Sequence, residues 1–307
     1  MGTWLSFLFA SRQKTVVCIQ ELSRSGLLQI VDIGAADGAP AGLADLLSDS
    51  HVFTAEARPD ANSSFGGSTT VLHGAVAETN ATRTLFITAK PQNSSLLRPN
   101  DDLLGQYLTR GAFEVVETVE VQTQTLWECL EAANTPRVDF IKLDTQGTEL
   151  EILRGARVDR LRPLAVMVEI QFQPFYQGAP PASEVLAFMR SHGFGLYELR
   201  TSRWVRSASR RNPGSATGEI MWGDALFINE ANCQSGEQLV AQIALLVTLG
   251  QPYTARTMCS RAPAELRSRL ERLIDDHILH ERILHELRLG SLLRKVRART
   301  PRFRSRH

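Results

Sequence analysis

Leu27-Leu28-Gln29-Ile30-Val31-Asp32-Ile33-Gly34-Ala35-Ala36-Asp37-Gly38 is a compact apolar run that empties into an acidic, glycine-bearing turn. Such a run, followed by helix-length chain, reads as a buried strand feeding a helix. Similar runs recur at His51-Val52-Phe53-Thr54-Ala55, which ends on Glu56, and at residues 71–77. Two more, residues 138–143 and 164–168, end on Asp144 and Glu169. Short apolar runs separated by helix-length segments predict an α/β fold with a doubly wound, mainly parallel sheet covered on both faces. Alternating stretches at residues 84–88 and 115–121 predict a β-rich insertion. Residues 180–192 read as a helix with Val185, Leu186, Phe188 and Met189 on its apolar face, and late strands are expected at 195–199 and 224–228. The Arg-Arg-Asn-Pro-Gly-Ser punctuation between Ser207 and Gly218 marks a surface excursion.

Beyond residue 230 strand formers thin out, and residues 237–249 and 264–293 carry helical periodicity. Leu270, Leu273, Ile274, Ile278 and Leu284 fall near one helix face. The expected organisation is a helical lead-in (1–26), a sheet domain (27–230), a small helical appendage (231–293) and a disordered basic tail (294–307). The tail holds seven of the 34 basic residues and no acid, leaving 27 basic against 33 acidic residues elsewhere. A mildly acidic body argues against nucleic acid as a partner. The tail remains a candidate for peripheral contact with anionic lipid or glycan, as does the apolar start, Met1 to Ala10, for a membrane surface. No stretch approaches the roughly 18 apolar residues of a membrane span. The cysteines Cys18, Cys129, Cys233 and Cys259 form no C-x-x-C pair, so buried thiols in a reducing cytoplasm are expected.

Asp32, Gly34, Ala35, Asp37 and Gly38 form the first candidate site. A dinucleotide fold wants G-x-G-x-x-G, with a helix N-terminus facing a pyrophosphate. Ala36 stands where that pattern needs its middle glycine, which weighs against a nicotinamide-dependent oxidoreductase. Carboxylates around the turn suit a ligand bearing ammonium and sulfonium charge, such as S-adenosylmethionine. Glu56 ends the second run, 18 residues after Gly38, where an acid can accept both ribose hydroxyls. Asp144 and Glu169 end consecutive candidate strands, so both should point into one crevice. The pair could orient a hydroxyl, take its proton or hold a divalent metal. Glu149 and Glu151 are expected to cap and solvate the following helix. His73 and His192 are outside candidates for a base. His277, His280 and Glu281 share helical spacing, but a solvated helix is the simpler reading than a metal site.

The segment Lys142-Leu143-Asp144-Thr145-Gln146-Gly147-Thr148-Glu149-Leu150-Glu151-Ile152-Leu153-Arg154-Gly155-Ala156 resembles the signature of FkbM-type methyltransferases. Other segments follow in that family's order. Val31 to Gly38 is similar to its V-D-V-G-A-N-x-G turn, and Thr54 to Asp60 resembles its F-E-P-x-P stretch. Ala75-Val76-Ala77 and Asn93-Ser94-Ser95-Leu96-Leu97 resemble its third-strand and S-S-L elements. The resemblance spans residues 28–229. It implies a class I, Rossmann-like methyltransferase fold, S-adenosylmethionine as donor, and O-methylation of a sugar, glycan or other small-molecule acceptor. It adds Ala75 to the cofactor wall and Ser94, Ser95 and Asp224 to the acceptor side. Asp37 stands where asparagine is commoner, and the second motif lacks its E-P pair. Gln146 replaces a frequent glutamate, which resembles a D-x-Q-G variant of the family and removes a base at that position, because an amide accepts no proton at neutral pH. Asp144 or Glu169 is the expected catalytic base. A non-catalytic module of the same fold is the remaining alternative, against which stand the retained acids Asp32, Glu56, Asp144 and Glu169.

Overall fold

The computed structural model describes residues 28–34, 50–58, 68–72, 74–135, 137–207, 218–233 and 237–299. The chain divides into two compact units, of which Leu27–Cys233 is one. Its strands are β1 (Leu28–Ile33), β2 (Ser50–Ala55), β3 (Ser68–Val71), β4 (Ala75–Ala77), β5 (Ala81–Thr88), β6 (Val115–Thr125), β7 (Phe140–Leu143), β8 (Ala165–Gln171), β9 (Gly195–Trp204) and β10 (Glu219–Ile228). Seven make one sheet in the order β3-β2-β1-β7-β8-β10-β9. The first five run parallel and β10 runs against both its neighbours. This is the expected doubly wound, mainly parallel α/β sheet.

The parallel strands are buried residue after residue, which is why their sequences are nearly continuous apolar runs rather than alternating ones. One face carries Val31, Ile33, Phe53, Ile141, Leu143, Val166 and Val168 into a core with Leu126, Leu130, Ile152, Leu153, Val185 and Met189. Those last six come from the helices Leu126–Ala132, Glu149–Gly155 and Ala182–Ser191. The first of these starts at a capping box: Thr125 accepts from the Glu128 amide, and the Glu128 carboxylate reaches back to Thr125.

Because side chains alternate across a sheet, Asp32 and Lys142, paired in register, share the opposite face. Asp144, two residues beyond Lys142, falls on that face too. Glu169 stands in the same row, opposite Asp224 of β10. The chain order reverses between β1 and β7, so these groups gather at the crevice where open α/β sheets bind ligands.

The third apolar run is not one strand. It breaks at Gly74, whose φ of +85° turns the chain, and only β3 joins the large sheet. Ala75–Ala77 instead pairs in parallel with β6, and β6 with antiparallel β5, forming a separate three-stranded sheet. The late strands are longer than the apolar pattern suggests, because β9 and β10 pair as far as Trp204 and Glu219, through residues that are half exposed. Residues 208–217, the heart of the expected excursion, lie outside the described residues.

The other unit contains the helices Glu237–Thr248, Pro252–Met258 and Ala264–Arg299. The middle one was not expected, since its seven residues are too short for a periodic signal. Leu270, Ile274 and His277 are buried on the long helix, so His277 belongs to its apolar face and not to a solvated one. No group of metal-binding side chains occurs among the described residues. No helix among them is long and apolar enough to cross a membrane. The lead-in 1–26, His73 and residues 300–307 lie outside the described residues.

Gly34 adopts φ +83°, and a Cβ there would stand 1.9 Å from the Asp144 carbonyl oxygen. Gly34→Ala is expected to destabilise the domain by about 2 kcal/mol or more, read from urea denaturation, because both backbone strain and that clash must be relieved.

Candidate functional site

A cavity of about 410 Å³ opens at the C-terminal edge of β1, β2, β7 and β8. One end is lined by Ile33, Gly34, Ala55, Glu56, Ala75 and Val76, the other by Lys90, Asn93, Phe113, Phe175, Trp204 and Trp222. Asp144, Gln146 and Glu169 stand in its wall as well.

At the first end, β1 and β2 are locked beyond their last residues: the Gly34 amide donates to the Ala55 carbonyl at 3.0 Å. The Asp144 amide donates to the Ile33 carbonyl, also at 3.0 Å, so the three strand ends converge on one point. The Glu56 carboxylate accepts from the Arg58 backbone amide at 3.1 Å and lies 3.5 Å from the Arg58 guanidinium. Ala75 supplies a small, buried wall. Ala35, Asp37 and Gly38 lie outside the described residues. Asp32 does not line the cavity. It is buried, and accepts from Lys142 Nζ at 3.2 Å. Burial pushes Asp32 upward even against Lys142. Burial alone would lower Lys142, but Asp32 and Asp144 outweigh it and hold the ammonium above its ordinary value. The two directions are compatible with one shared positive charge, since the same ammonium also lies 3.7 Å from Asp144.

Asp144 and Glu169 come together as expected, but Gln146 stands between them. Its Nε2 lies 2.9 Å from Asp144 Oδ1 and 3.3 Å from each oxygen of Glu169. Asp144 keeps 37% of its side-chain surface exposed, whereas Glu169 is buried. Burial, then the charges of Asp144, Glu149 and Asp224, hold Glu169 well above the ordinary carboxyl range. Asp224 lines no part of the cavity. It faces Asp144, Lys142 and Arg200, and burial pushes its carboxyl up.

Glu149 was expected to be solvated, and it is buried instead. Its carboxylate accepts from the backbone amides of Thr145 (2.8 Å) and Gly147 (3.0 Å), tying the turn after β7 to the helix that follows. Burial raises it to about 7, against those hydrogen bonds. Glu151 is half exposed and pairs with Arg83. The Ser94 and Ser95 hydroxyls reach the cavity wall but are engaged with the protein: Ser94 accepts from the Thr88 amide, and Ser95 donates to the Gln146 carbonyl at 2.8 Å. His192 caps a helix end, with Nδ1 2.8 Å from the Phe188 carbonyl oxygen, and is not part of the site.

The sequence reading missed Lys142, although a period of two places it beside Asp32 and Asp144. It also missed Tyr176, which hydrogen-bonds Asn93 and Gln146, and the four aromatic rings of the far end. Those rings sit on segments distant in sequence, which leaves no local signal.

A family model described as the methyltransferase FkbM domain matches residues 32–196, more than half of the chain. The chain belongs to the FkbM methyltransferase family. Among solved structures, a candidate RNA methyltransferase of Pyrococcus horikoshii is 13% identical, with 72% of this chain and 82% of that chain covered and a TM-score of 0.32. A protein of Thermoplasma acidophilum is 10% identical, with 75% and 100% covered and a TM-score of 0.30. No curated protein matches the chain. As an FkbM-family member with a doubly wound sheet, the chain is a methyltransferase whose crevice lies at the β1–β7 reversal.

The raised carboxyls make stability depend on pH. The folded state binds a proton at Glu169 more tightly than the unfolded chain, whose glutamates sit near 4.5. Stability from this source is complete below that value and drains as pH rises toward the folded value. Glu169→Gln removes the effect. The variant's melting temperature is expected to gain on the parent as pH rises above about 5, read by scanning calorimetry. An unchanged difference across that range would show Glu169 to be ordinary.

Proposed function

We propose that this methyltransferase uses S-adenosylmethionine to O-methylate a hydroxyl of a sugar, glycan or other small-molecule natural product. The observation that carries the reading is the single cavity running from the Gly34–Glu56 end to Asp144 and the aromatic end. Its first end fits the cofactor. Gly34 lines this end without a side chain, Glu56 offers a carboxylate to ribose hydroxyls, and Ala75 and Val76 offer apolar surface to an adenine. Asp37, outside the described residues, remains part of this proposed set.

S-adenosylmethionine supplies a methyl group on a sulfonium already activated for in-line attack by an oxygen. The protein's task is then to position the acceptor, exclude water and take one proton. Of Asp144 and Glu169, Asp144 is the more exposed in the cavity wall, and we assign it the acceptor hydroxyl's proton: the O–H bond breaks and the proton passes to its carboxylate. Glu169, buried and with its carboxyl pushed well above the ordinary range, serves as its neighbour and not as a second base. Phe113, Phe175, Trp204 and Trp222 give the acceptor end faces on which a ring can stack, while Lys90 and Asn93 line the same end. Asp224 supports the carboxylate row from behind and does not touch an acceptor in the described cavity.

Isothermal calorimetry on the full chain is expected to show binding of S-adenosylmethionine and none of NAD. Glu56→Ala should weaken that binding about tenfold or more. With an acceptor identified by screening sugars and hydroxylated natural products, Asp144→Asn should keep cofactor affinity and lower turnover about a hundredfold. Binding of neither nucleotide would return the chain to a non-catalytic role.

A further inference from the structure

The turn after β7 holds a residue in a conformation that side chains seldom adopt. Gln146 has φ +60°, in the left-handed region, although it is not glycine. Its backbone carbonyl accepts from Ser95 Oγ at 2.8 Å, which anchors the turn to the β-rich insertion. Its side-chain oxygen lies 3.1 Å from the Tyr176 hydroxyl, and that hydroxyl lies 2.6 Å from the Asn93 carbonyl. Tyr176 has no exposed surface, so its one proton is shared between these two acceptors and nothing else competes for it.

This arrangement decides which way the amide faces. With Oε1 toward Tyr176, Nε2 presents one hydrogen to Asp144 and another to Glu169. Reversed, the amide oxygen would stand 2.9 Å from Asp144 Oδ1, lone pair against carboxylate. The charges around the pair explain why an amide is needed. Lys142 is the nearby cation, and it already serves Asp32 and Asp144. Glu149 faces the pair from the following helix, and Asp224 from β10, with Arg200 of β9 placed behind Asp224. Among the described residues, Gln146 is the hydrogen-bond partner of Glu169. A glutamate at position 146 would add another carboxyl to a cluster whose ion-paired cation among the described residues, Lys142, is already shared.

We propose that Gln146 is the positioning residue of the carboxylate pair. Pinned by Tyr176, its amide hydrogens hold Asp144 toward the cavity as the proton acceptor and keep Glu169 apart from it. That Asp144 is the acceptor's base rests on the function proposed above; the hydrogen-bond geometry does not. Tyr176 then acts at two removes from the acceptor, through Gln146.

The test needs neither methyl donor nor acceptor. Carboxyl resonances of the full chain, labelled with ¹³C in aspartate and glutamate, are followed against pH, with Asp144 and Glu169 assigned from Asp144→Asn and Glu169→Gln. Gln146→Met keeps the bulk and removes the donor; Tyr176→Phe keeps the ring and releases the amide; Gln146→Glu adds a charge. All three should move the Asp144 midpoint upward, with Gln146→Glu shifting it by about one pH unit or more, a tenfold tighter proton. A residue that only shapes the turn would alter melting temperature and leave that midpoint alone. If Gln146→Glu does not fold, Gln146→Met and Tyr176→Phe decide. An Asp144 midpoint that stays or falls in the folded variants overturns the proposal. Should calorimetry show no S-adenosylmethionine binding while the midpoint moves, the positioning role stands and the methyl-transfer reading falls.

Discussion

The ends of β1 and β7 approach so closely that no side chain can stand between them. The Asp144 carbonyl occupies the space where a residue other than glycine at position 34 would put its first carbon. That contact fixes three things together. It sets where the strand order reverses, it brings Gly34 against the carboxylate row, and it joins the two ends of the cavity into one space.

Charge follows from the same approach. Alternation along β1 and β7 places Asp32, Lys142 and Asp144 on one face, and a single ammonium lies within 4 Å of both acids. With that cation committed, the next carboxyl in the row, Glu169, forms no ion pair among the described residues. Burial pushes the Glu169 carboxyl upward, and Gln146 presents its amide hydrogens to it. The difference between Asp144 and Glu169 is thus one of surroundings, since both are carboxylic acids at the ends of neighbouring parallel strands.

Much of this was legible before any coordinates. Buried parallel strands write themselves as apolar runs, so β1, β2, β7 and β8 and the acids that close them could be read directly. Position 74 misled because apolar residues flank His73-Gly74 on both sides, and burial alone does not tell which sheet a strand joins. Glu149 was misread for a related reason: a glutamate at a helix start is ordinarily solvated, and only the tight turn at Gln146 and Gly147 draws its carboxylate inward. Which rings meet at the far end of the cavity could not be read from the sequence. Phe113, Phe175, Trp204 and Trp222 meet through contacts between distant segments, with Phe113 and Trp204 centroids 5.4 Å apart.

Those indoles have a practical side. The chain contains four tryptophans, and two of them, Trp204 and Trp222, line the cavity on adjacent antiparallel strands. Both are partly exposed, so their emission depends on whether water or a bound molecule covers the rings. The protein therefore carries its own optical gauge at the acceptor end. A screen for its unknown partner can be run on unlabelled protein by watching colour and intensity, before any chemistry has been observed.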